Sequence, residues 1–379
     1  MEDTMINRLL QQQILSLLHK GKAIVIMGAR QVGKSTLMQQ VLKDREDVLW
    51  LNGDEPDIQG VFEQLTSSRA RAIIGNKQII VIDEAQRIPN VGLKLKLITD
   101  QIPQVQLIAT GSSSFSLASQ INEPLTGRKR EFRMFPLSFM EMVNHTSLIE
   151  EQRLITHRMV YGYYPEVVNN PGDEKIVLKE LSDSYLYRDI LSLDKVTKSD
   201  KLINLLRALA LQIGSQVSYN ELANLVGIDA KTVERYIDIL EKSYIVFRLG
   251  SFARNLRNEL KFSRKIYFWD LGIRNALLGS FAPVENRTDT GALWENFAIV
   301  ERLKRNVYQM SFAQSYFWRT KQQKEIDYIE EEDGQISAFE FKWNDNKQNT
   351  KCPESFVQSY PNAQWQVITP NTLYEWVSG

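Results

Sequence analysis

Apolar positions along the chain come in two rhythms. Short, nearly continuous apolar runs occupy residues 23–27, 48–51, 79–83, 106–109 and 131–135, and each reads as a buried strand. Between them apolar residues recur at helical spacing, as do Ile6, Leu9, Leu10, Ile14, Leu17 and Leu18 ahead of the first run. Strands alternating with helices predict a mostly parallel sheet covered on both faces. From Phe139 to about Leu211 the period is helical, with tracts over 149–160 and 175–193. Loops fall at Tyr163-Tyr164-Pro165 and Asn169-Asn170-Pro171-Gly172. The spacing Ser218-x-x-Glu221 predicts a capped helix that breaks at Gly227. Asp229 can cap a second helix over 230–242, where Val233, Ile237 and Leu240 share a face. Residues 244–249 and 265–269 read as strands. The last hundred residues predict an amphipathic helix over 294–304 and strands over 315–319, 325–329 and 336–343. Glu331-Glu332-Asp333-Gly334 signals a hairpin turn between the last two.

The segment between the first strand and its helix carries the clearest chemistry. Gly28, Ala29, Arg30, Gln31, Val32, Gly33, Lys34 and Ser35 spell G-x-x-x-x-G-K-S. Strand, glycine loop and helix together form a phosphate cradle: backbone N–H groups point inward and the helix N-terminus adds positive charge. Lys34 would reach the β- and γ-phosphates, the Ser35 hydroxyl would bind Mg²⁺, and Thr36 would sit near the α-phosphate. Arg30 is a further phosphate contact. The run Ile79-Ile80-Val81-Ile82 ends in Asp83-Glu84. Asp83 would hold Mg²⁺ through water and Glu84 would act as general base, which favours ATP hydrolysis over binding alone. The fourth strand ends in Thr110-Gly111-Ser112-Ser113-Ser114, where Thr110 or Ser112 could contact the γ-phosphate or the attacking water. Arg128, in Thr126-Gly127-Arg128-Lys129-Arg130, could stabilise charge on the transferred phosphoryl group in cis or for a neighbouring subunit.

The ordered set GARQVGKSTL, IIVIDEAQRIP, ATGSSSF and LTGRKREFRMFPLSFMEM resembles the ATPase core of a prokaryotic family. That family joins an AAA-like P-loop core to a C-terminal domain of unknown function. The segments Tyr185-Leu186-Tyr187-Arg188-Asp189-Ile190 and Gly291-Ala292-Leu293-Trp294-Glu295-Asn296-Phe297 are similar to it as well, so the resemblance spans almost the whole chain. One departure stands out: the sequence shows no clear second sensor arginine in a helical lid, which puts ring formation of the usual AAA kind in doubt.

The helix, glycine turn and helix ending at residue 242 have a helix-turn-helix layout, and the two strands that follow would be the wing of a winged helix. Arg254, Arg257, Lys261, Arg264 and Lys265 between and on those strands suit phosphate contacts. Lys231, Thr232, Arg235 and Tyr236 could approach a groove. Further on, Glu295 on a helix, Asp327 on a strand and Glu340-x-Lys342 on the next strand resemble the PD-(D/E)xK core of restriction-endonuclease-like folds. Ile326 stands where the motif name has proline. In that reading Asp327 and Glu340 ligate Mg²⁺ with help from Glu295, and Lys342 positions or activates water.

The expected fold is thus a multidomain α/β chain. Residues 1–138 form a P-loop NTPase core with a parallel sheet and 139–211 a helical lid or linker. Residues 212–284 form a winged helix and 285–379 a restriction-endonuclease-like α/β domain. At 379 residues the chain has room for about two to three domains. Its net charge is zero, so any surface for nucleic acid must be local. A single cysteine, Cys352, excludes disulfides within the chain, and His19, His145 and His157 have no metal-ligand spacing. The start of the chain, with Glu2 and Asp3, does not read as a signal peptide, and no run approaches a membrane span. A cytoplasmic protein is expected, with ATP, Mg²⁺ and DNA as ligands and homo-oligomerisation left open. Three functions fit: an ATPase acting on DNA with metal-dependent cleavage, a nucleotide-switched module that docks DNA or protein without cutting, and a chaperone-like remodeller of proteins.

Overall fold

The five early apolar runs become one parallel sheet in the computed structural model, which describes residues 5–112, 119–185, 199–253 and 264–379. Strands β1 (Ala23–Gly28), β2 (Val48–Asn52), β3 (Ile79–Asp83), β4 (Gln106–Gly111) and β5 (Lys129–Met134) lie in the order β2-β3-β4-β1-β5. Every neighbouring pair is parallel. β1 and β4 are buried at every position and β3 at all but its last, as inner strands between two helical layers must be. The edge strand β5 instead exposes Arg130, Glu131 and Arg133, charges that discourage pairing with another chain. Helices α1 (Leu10–Leu17), α2 (Lys34–Val41), α3 (Pro56–Glu63), α4 (Ser67–Ile74), α5 (Val91–Gln101), the single turn α6 (Ser119–Ile121) and a 3-10 turn at Ala85–Arg87 lie between and around these strands in sequence. The chain divides into two compact units: residues 1–136 with 242–244, and residues 137–241 with 245–379.

The second unit begins with the expected helical tract: α7 (Phe139–His145), α8 (Leu148–Tyr161), α9 (Pro165–Asn169), α10 (Glu174–Tyr185) and α11 (Ser199–Leu211). There follow β6 (Gln216–Val217), α12 (Tyr219–Val226), α13 (Ala230–Lys242), β7 (Val246–Ser251), β8 (Arg264–Phe268) and α14 (Leu271–Leu278). Ser218 caps α12 through the Glu221 N–H at 3.4 Å, and Gly227 ends it in the left-handed region. The remainder is α15 (Thr290–Tyr308), β9 (Gln314–Arg319), β10 (Glu325–Glu332), β11 (Gln335–Phe341), α16 (Glu354–Ser359), β12 (Gln364–Ile368) and α17 (Leu373–Ser378). Asp333 (φ 51°) and Gly334 (φ 80°) make the two-residue turn between β10 and β11, as their sequence signals.

These strands form a single mixed sheet of seven, ordered β12-β11-β10-β9-β7-β8-β6. The join is the parallel pairing of β7 with β9, at Gly250 with Tyr316 and Ser251 with Phe317. The hairpin after α13 and the C-terminal strands therefore share one ladder. The limits expected at 211/212 and 284/285 fall inside one compact unit, whereas the expected limit at 138 lies beside the observed one at 136. Pairing between strands more than sixty residues apart leaves no local signal.

Buried polar groups fix the helical layer of this unit. Asp270 accepts from the N–H groups of Tyr163 (2.7 Å) and Ile273 (3.1 Å). A Cβ on Gly162 would lie 2.2 Å from the Asp270 carboxylate, so that approach needs a glycine. Arg158 pairs with Glu151 at 2.7 Å, and Lys304 pairs with Glu301 at 2.8 Å.

Asp289, just ahead of α15, accepts from Arg287 Nε (2.8 Å) and Arg274 Nη1 (2.7 Å). Burial would raise its pKa, but the two guanidinium groups outweigh burial and lower it from 3.8 to about 2. A carboxyl depressed by folding stabilises the fold above its unfolded pKa of about 4, and that contribution is lost as pH falls through about 2. Asp289→Asn is therefore expected to cost about 1 kcal/mol at pH 7, after allowance for solvent screening. The gap to wild type should close near pH 2, as read by urea unfolding across pH; a gap independent of pH would contradict the ion-pair origin.

Candidate nucleotide site and C-terminal carboxylate cluster

The loop between β1 and α2 is shaped by close backbone approaches. A Cβ on Gly28 would meet the Met134 carbonyl oxygen at 2.0 Å, and Gly33 adopts φ 92°, a left-handed conformation. Gln31 is also left-handed at φ 60°. Gly33 is the N-cap of α2 and supplies no side chain to cap its first N–H groups, an arrangement suited to an anion. Lys34 is buried, and its ammonium donates to the carbonyls of Gly28 (3.0 Å) and Ala29 (2.7 Å). Ala29 and Val32 are buried, Arg30 and Ser35 half-buried, and Gln31 and Thr36 exposed. Sequence reasoning missed Arg8, which holds the loop from behind: it donates to the carbonyls of Val32 (2.6 Å) and Phe135 (2.7 Å). Its place in an ordinary helical spacing gave no hint of this.

The carboxyl ends of β3 and β4 meet this loop through a hydrogen-bonded chain. The Ser35 hydroxyl donates to Asp83 Oδ2 at 2.5 Å, and the Thr110 hydroxyl donates to Asp83 Oδ1. The Glu84 N–H also reaches Asp83 Oδ1, at 3.1 Å. Thr110 is fully buried behind Asp83, which corrects its expected contact with a phosphate: its hydroxyl is already committed to orienting Asp83. Glu84 is left-handed at φ 48°, an uncommon conformation for a non-glycine residue and one that recurs at functional turns. Its carboxylate accepts from the Gln86 side-chain amide, which also donates to the Ser112 hydroxyl at 2.9 Å. Gln86 follows the acidic pair by two residues and was not singled out from the sequence. Ser113 and Ser114 lie outside the described residues.

Arg128 does not join this group. Its carbonyl accepts from the Ala23 N–H at 2.9 Å, at the amino end of β1, and its guanidinium pairs with Asp100 at 2.6 Å. β1 and β5 run parallel from Ala23 beside Lys129 to Gly28 beside Met134, roughly 17 Å along the strands. The cis role is corrected accordingly: Arg128 stands at the opposite edge of the sheet from its own phosphate loop.

The C-terminal residues Glu295, Asp327, Glu340 and Lys342 gather around the shared sheet and α15. β10 carries one extra residue relative to β9 between Ile326 and Ile329, a bulge that contains Asp327 and re-aims its side chain. Asp327 accepts from the Phe341 N–H at 2.9 Å. Burial, then the charges of Glu295 and Glu340, raise its carboxyl well above the ordinary aspartate value. Lys342 donates to Glu340 at 2.6 Å. The decisive member is Lys265 on β8. Its side chain is 2% exposed and its ammonium contacts Glu295 at 2.9 Å and Glu325 at 2.5 Å. Burial would lower this lysine, but Glu295, Asp327 and Glu325 outweigh burial and hold it above the usual lysine value. Tyr267, two residues on and facing the same side, donates to Glu295 at 2.5 Å.

Among the described residues, no three acids, histidines or cysteines form a group that could hold a metal ion. Lysines sit on two of the expected carboxylates, Glu295 and Glu340. One expectation is corrected here. Lys265 itself is not a phosphate contact, because it is sealed in this cluster. The signal was the alternation in Arg-Lys-Ile-Tyr-Phe, which puts Lys265 and Tyr267 on one face. On α13, Tyr236 is fully buried and cannot face a groove, and Thr232 is bonded to Asp229. Lys231 and Arg235 are exposed. Arg264 donates to the Tyr219 hydroxyl at 3.1 Å. Arg254, Arg257 and Lys261 lie outside the described residues, as does Leu186-Tyr187-Arg188-Asp189-Ile190.

Comparison with known proteins matches three stretches of the chain. Residues 20–143 match a family described as "AAA domain", residues 152–283 a "Domain of unknown function (DUF8612)" and residues 290–376 a "Domain of unknown function (DUF4143)". An uncharacterized protein of Mycobacterium tuberculosis is 25% identical over 357 residues, covering 93% of this chain and 77% of its own. One of Haemophilus influenzae is 27% identical over 334 residues, covering 80% and 78%. Among solved structures, a Walker-type ATPase of Pyrococcus abyssi superposes with a TM-score of 0.50 at 15% identity, covering 73% of this chain and 97% of that one. No helix among the described residues is long and apolar enough to cross a membrane. The chain thus joins an AAA-type P-loop ATPase domain to a C-terminal domain of a family whose function is unassigned.

Proposed function

We propose that the first unit hydrolyses ATP with Mg²⁺ and that the second unit docks DNA without cutting it. The observation that carries the ATPase reading is the chain Ser35–Asp83–Thr110 at the mouth of the phosphate loop, with Glu84 beside it. The residues fit the ligand: Gly28 and Gly33 leave backbone space, Lys34 lies over the loop, and a hydroxyl and a carboxylate stand within hydrogen-bond distance as hard oxygen donors. Mg²⁺ bound there would neutralise phosphate charge. Lys34 would hold the terminal phosphates, Ser35 and Asp83 would hold the ion, and Glu84 would take the proton of the attacking water. Arg30, Gln31 and Thr36 would line the phosphates. Any contact of Arg128 with a nucleotide belongs to a second copy of the chain.

Docking to DNA rests on the order α11, β6, α12, α13, β7, β8, in which β6 and β7 flank β8 as in a winged helix, and on exposed Lys231 and Arg235. A second reading, metal-dependent cleavage at Asp327 and Glu340 with Lys342, is favoured by the bulge that aims Asp327 toward Glu295 and Glu340, the two carboxylates that raise it. The seating of Lys265 and Lys342 weighs against it.

Two outcomes are expected. Lys34→Ala should lose tight ATP binding, while Glu84→Gln should still bind ATP and hydrolyse it at least about 100-fold more slowly. Steady-state turnover and calorimetry read both, and wild-type turnover in Glu84→Gln would remove that residue from the mechanism. Plasmid and linear DNA incubated with Mg²⁺ or Mn²⁺, with and without ATP, should remain intact. Cutting that disappears in Asp327→Ala would establish the second reading instead.

A further inference from the structure

Gln86 stands in a short helical turn directly after the acidic pair, and three observations set it apart. Its amide nitrogen donates to the Glu84 carboxylate and, at 2.9 Å, to the Ser112 hydroxyl, so one side chain ties the ends of β3 and β4 together. Glu84 holds a left-handed backbone conformation that needs outside support. The other end of the amide, Gln86 Oε1, is buried and accepts no hydrogen bond among the described residues. A buried acceptor left without a donor is unfavourable, so the position favours a small donor that can enter. A water molecule is such a donor, and the neighbouring carboxylate belongs to the proposed general base.

We propose that Gln86 belongs to the hydrolytic machinery: its nitrogen fixes the Glu84 carboxylate, and its Oε1 accepts a hydrogen bond from the water that Glu84 deprotonates. This inference rests on the ATPase reading above. The water gives one proton to Glu84 and its oxygen forms a bond to the terminal phosphorus. The bond from that phosphorus to the bridging oxygen breaks, and ADP leaves with the electron pair. Gln86 supplies no proton and carries no charge. It restricts the water and the carboxylate to one mutual orientation, the kind of positioning that turns a loose encounter into a near-attack geometry. Ser112, bonded to the same amide, keeps the nitrogen end from rotating into the water's place.

Gln86→Met keeps the length and loses both hydrogen-bonding ends. Its kcat should fall about 10–100-fold, with KM and the affinity for a nonhydrolysable ATP analogue within about twofold of wild type. In Glu84→Gln the further change Gln86→Met should cost less than about threefold, because both residues act on one water. A structural role would instead change KM, analogue binding or thermal stability, and its loss would multiply with that of Glu84→Gln. Wild-type kcat in Gln86→Met, or a fully multiplicative double variant, overturns the proposal. If Gln86→Met does not fold, Gln86→Asn, which shortens the same amide by one methylene, should show the same fall in kcat at unchanged KM. Glu84→Gln separates the two failures: wild-type turnover there sinks the ATPase assignment of Glu84, whereas slow turnover there with normal Gln86→Met sinks only the role of Gln86.

Discussion

A parallel sheet delivers all of its carboxyl-end loops to one edge, and the nucleotide chemistry of the first unit depends on that constraint. Gly28 ends β1, Asp83 ends β3, and Gly111 ends β4. Residues from three separate stretches of sequence therefore arrive together without any long loop reaching across. The Asp83 carboxylate shows the result, accepting from Ser35 at the start of α2 and from Thr110 near the end of β4. The same rule explains the candidate that stands apart from the phosphate loop. Arg128 precedes β5, so parallel pairing with β1 sends it to the amino edge, beside Ala23 and Asp100.

What could be read from the sequence was what depends on near neighbours. The phosphate loop needs a strand, two glycines, a lysine and a helix in succession, and all lie within twenty residues. The strand runs, the cap of α12 and the Asp333-Gly334 turn are local in the same way. Contacts across the chain were not legible. Arg8 bonds a carbonyl 127 residues away, and Lys265 meets carboxylates 30 and 60 positions on. Thr110 fits a sensor by position, yet which side of Asp83 its hydroxyl takes is decided by the packing of β3 against β4. The bulge at Asp327 breaks the strict alternation from which the acid's direction would be inferred.

In the second unit the pairing of β7 with β9 has an energetic logic. An isolated two-stranded hairpin is marginal in water, and the outer side of β7 would present unpaired N–H and C=O groups. β9 satisfies part of that edge, and Phe252, just past β7, enters the apolar cluster of Trp318, Ile326, Ile329, Phe356 and Tyr360. The hairpin thus gains a core that it could not build itself. The adjoining Lys265 extends the same join into charge: on β8, it meets Glu295 from α15 and Glu325 from β10. Removing either kind of partner would leave buried charge behind, which is costlier than the pair is favourable.

The two acidic centres differ in what meets their charge. Asp83 accepts from two neutral hydroxyls and a backbone N–H, which orient the carboxylate while leaving its negative charge in place. That is the electrostatic setting in which a divalent cation gains most, since the donors around the oxygens are already ordered. Around Glu295 and Glu340 the partners are ammonium groups, and the cation is part of the polypeptide. A metal entering there would have to displace a lysine that is itself held by two carboxylates, and would leave that lysine's charge buried without compensation. Similar acids in a similar order along a sheet therefore meet different donors, neutral hydroxyls at Asp83 and ammonium groups at Glu295 and Glu340.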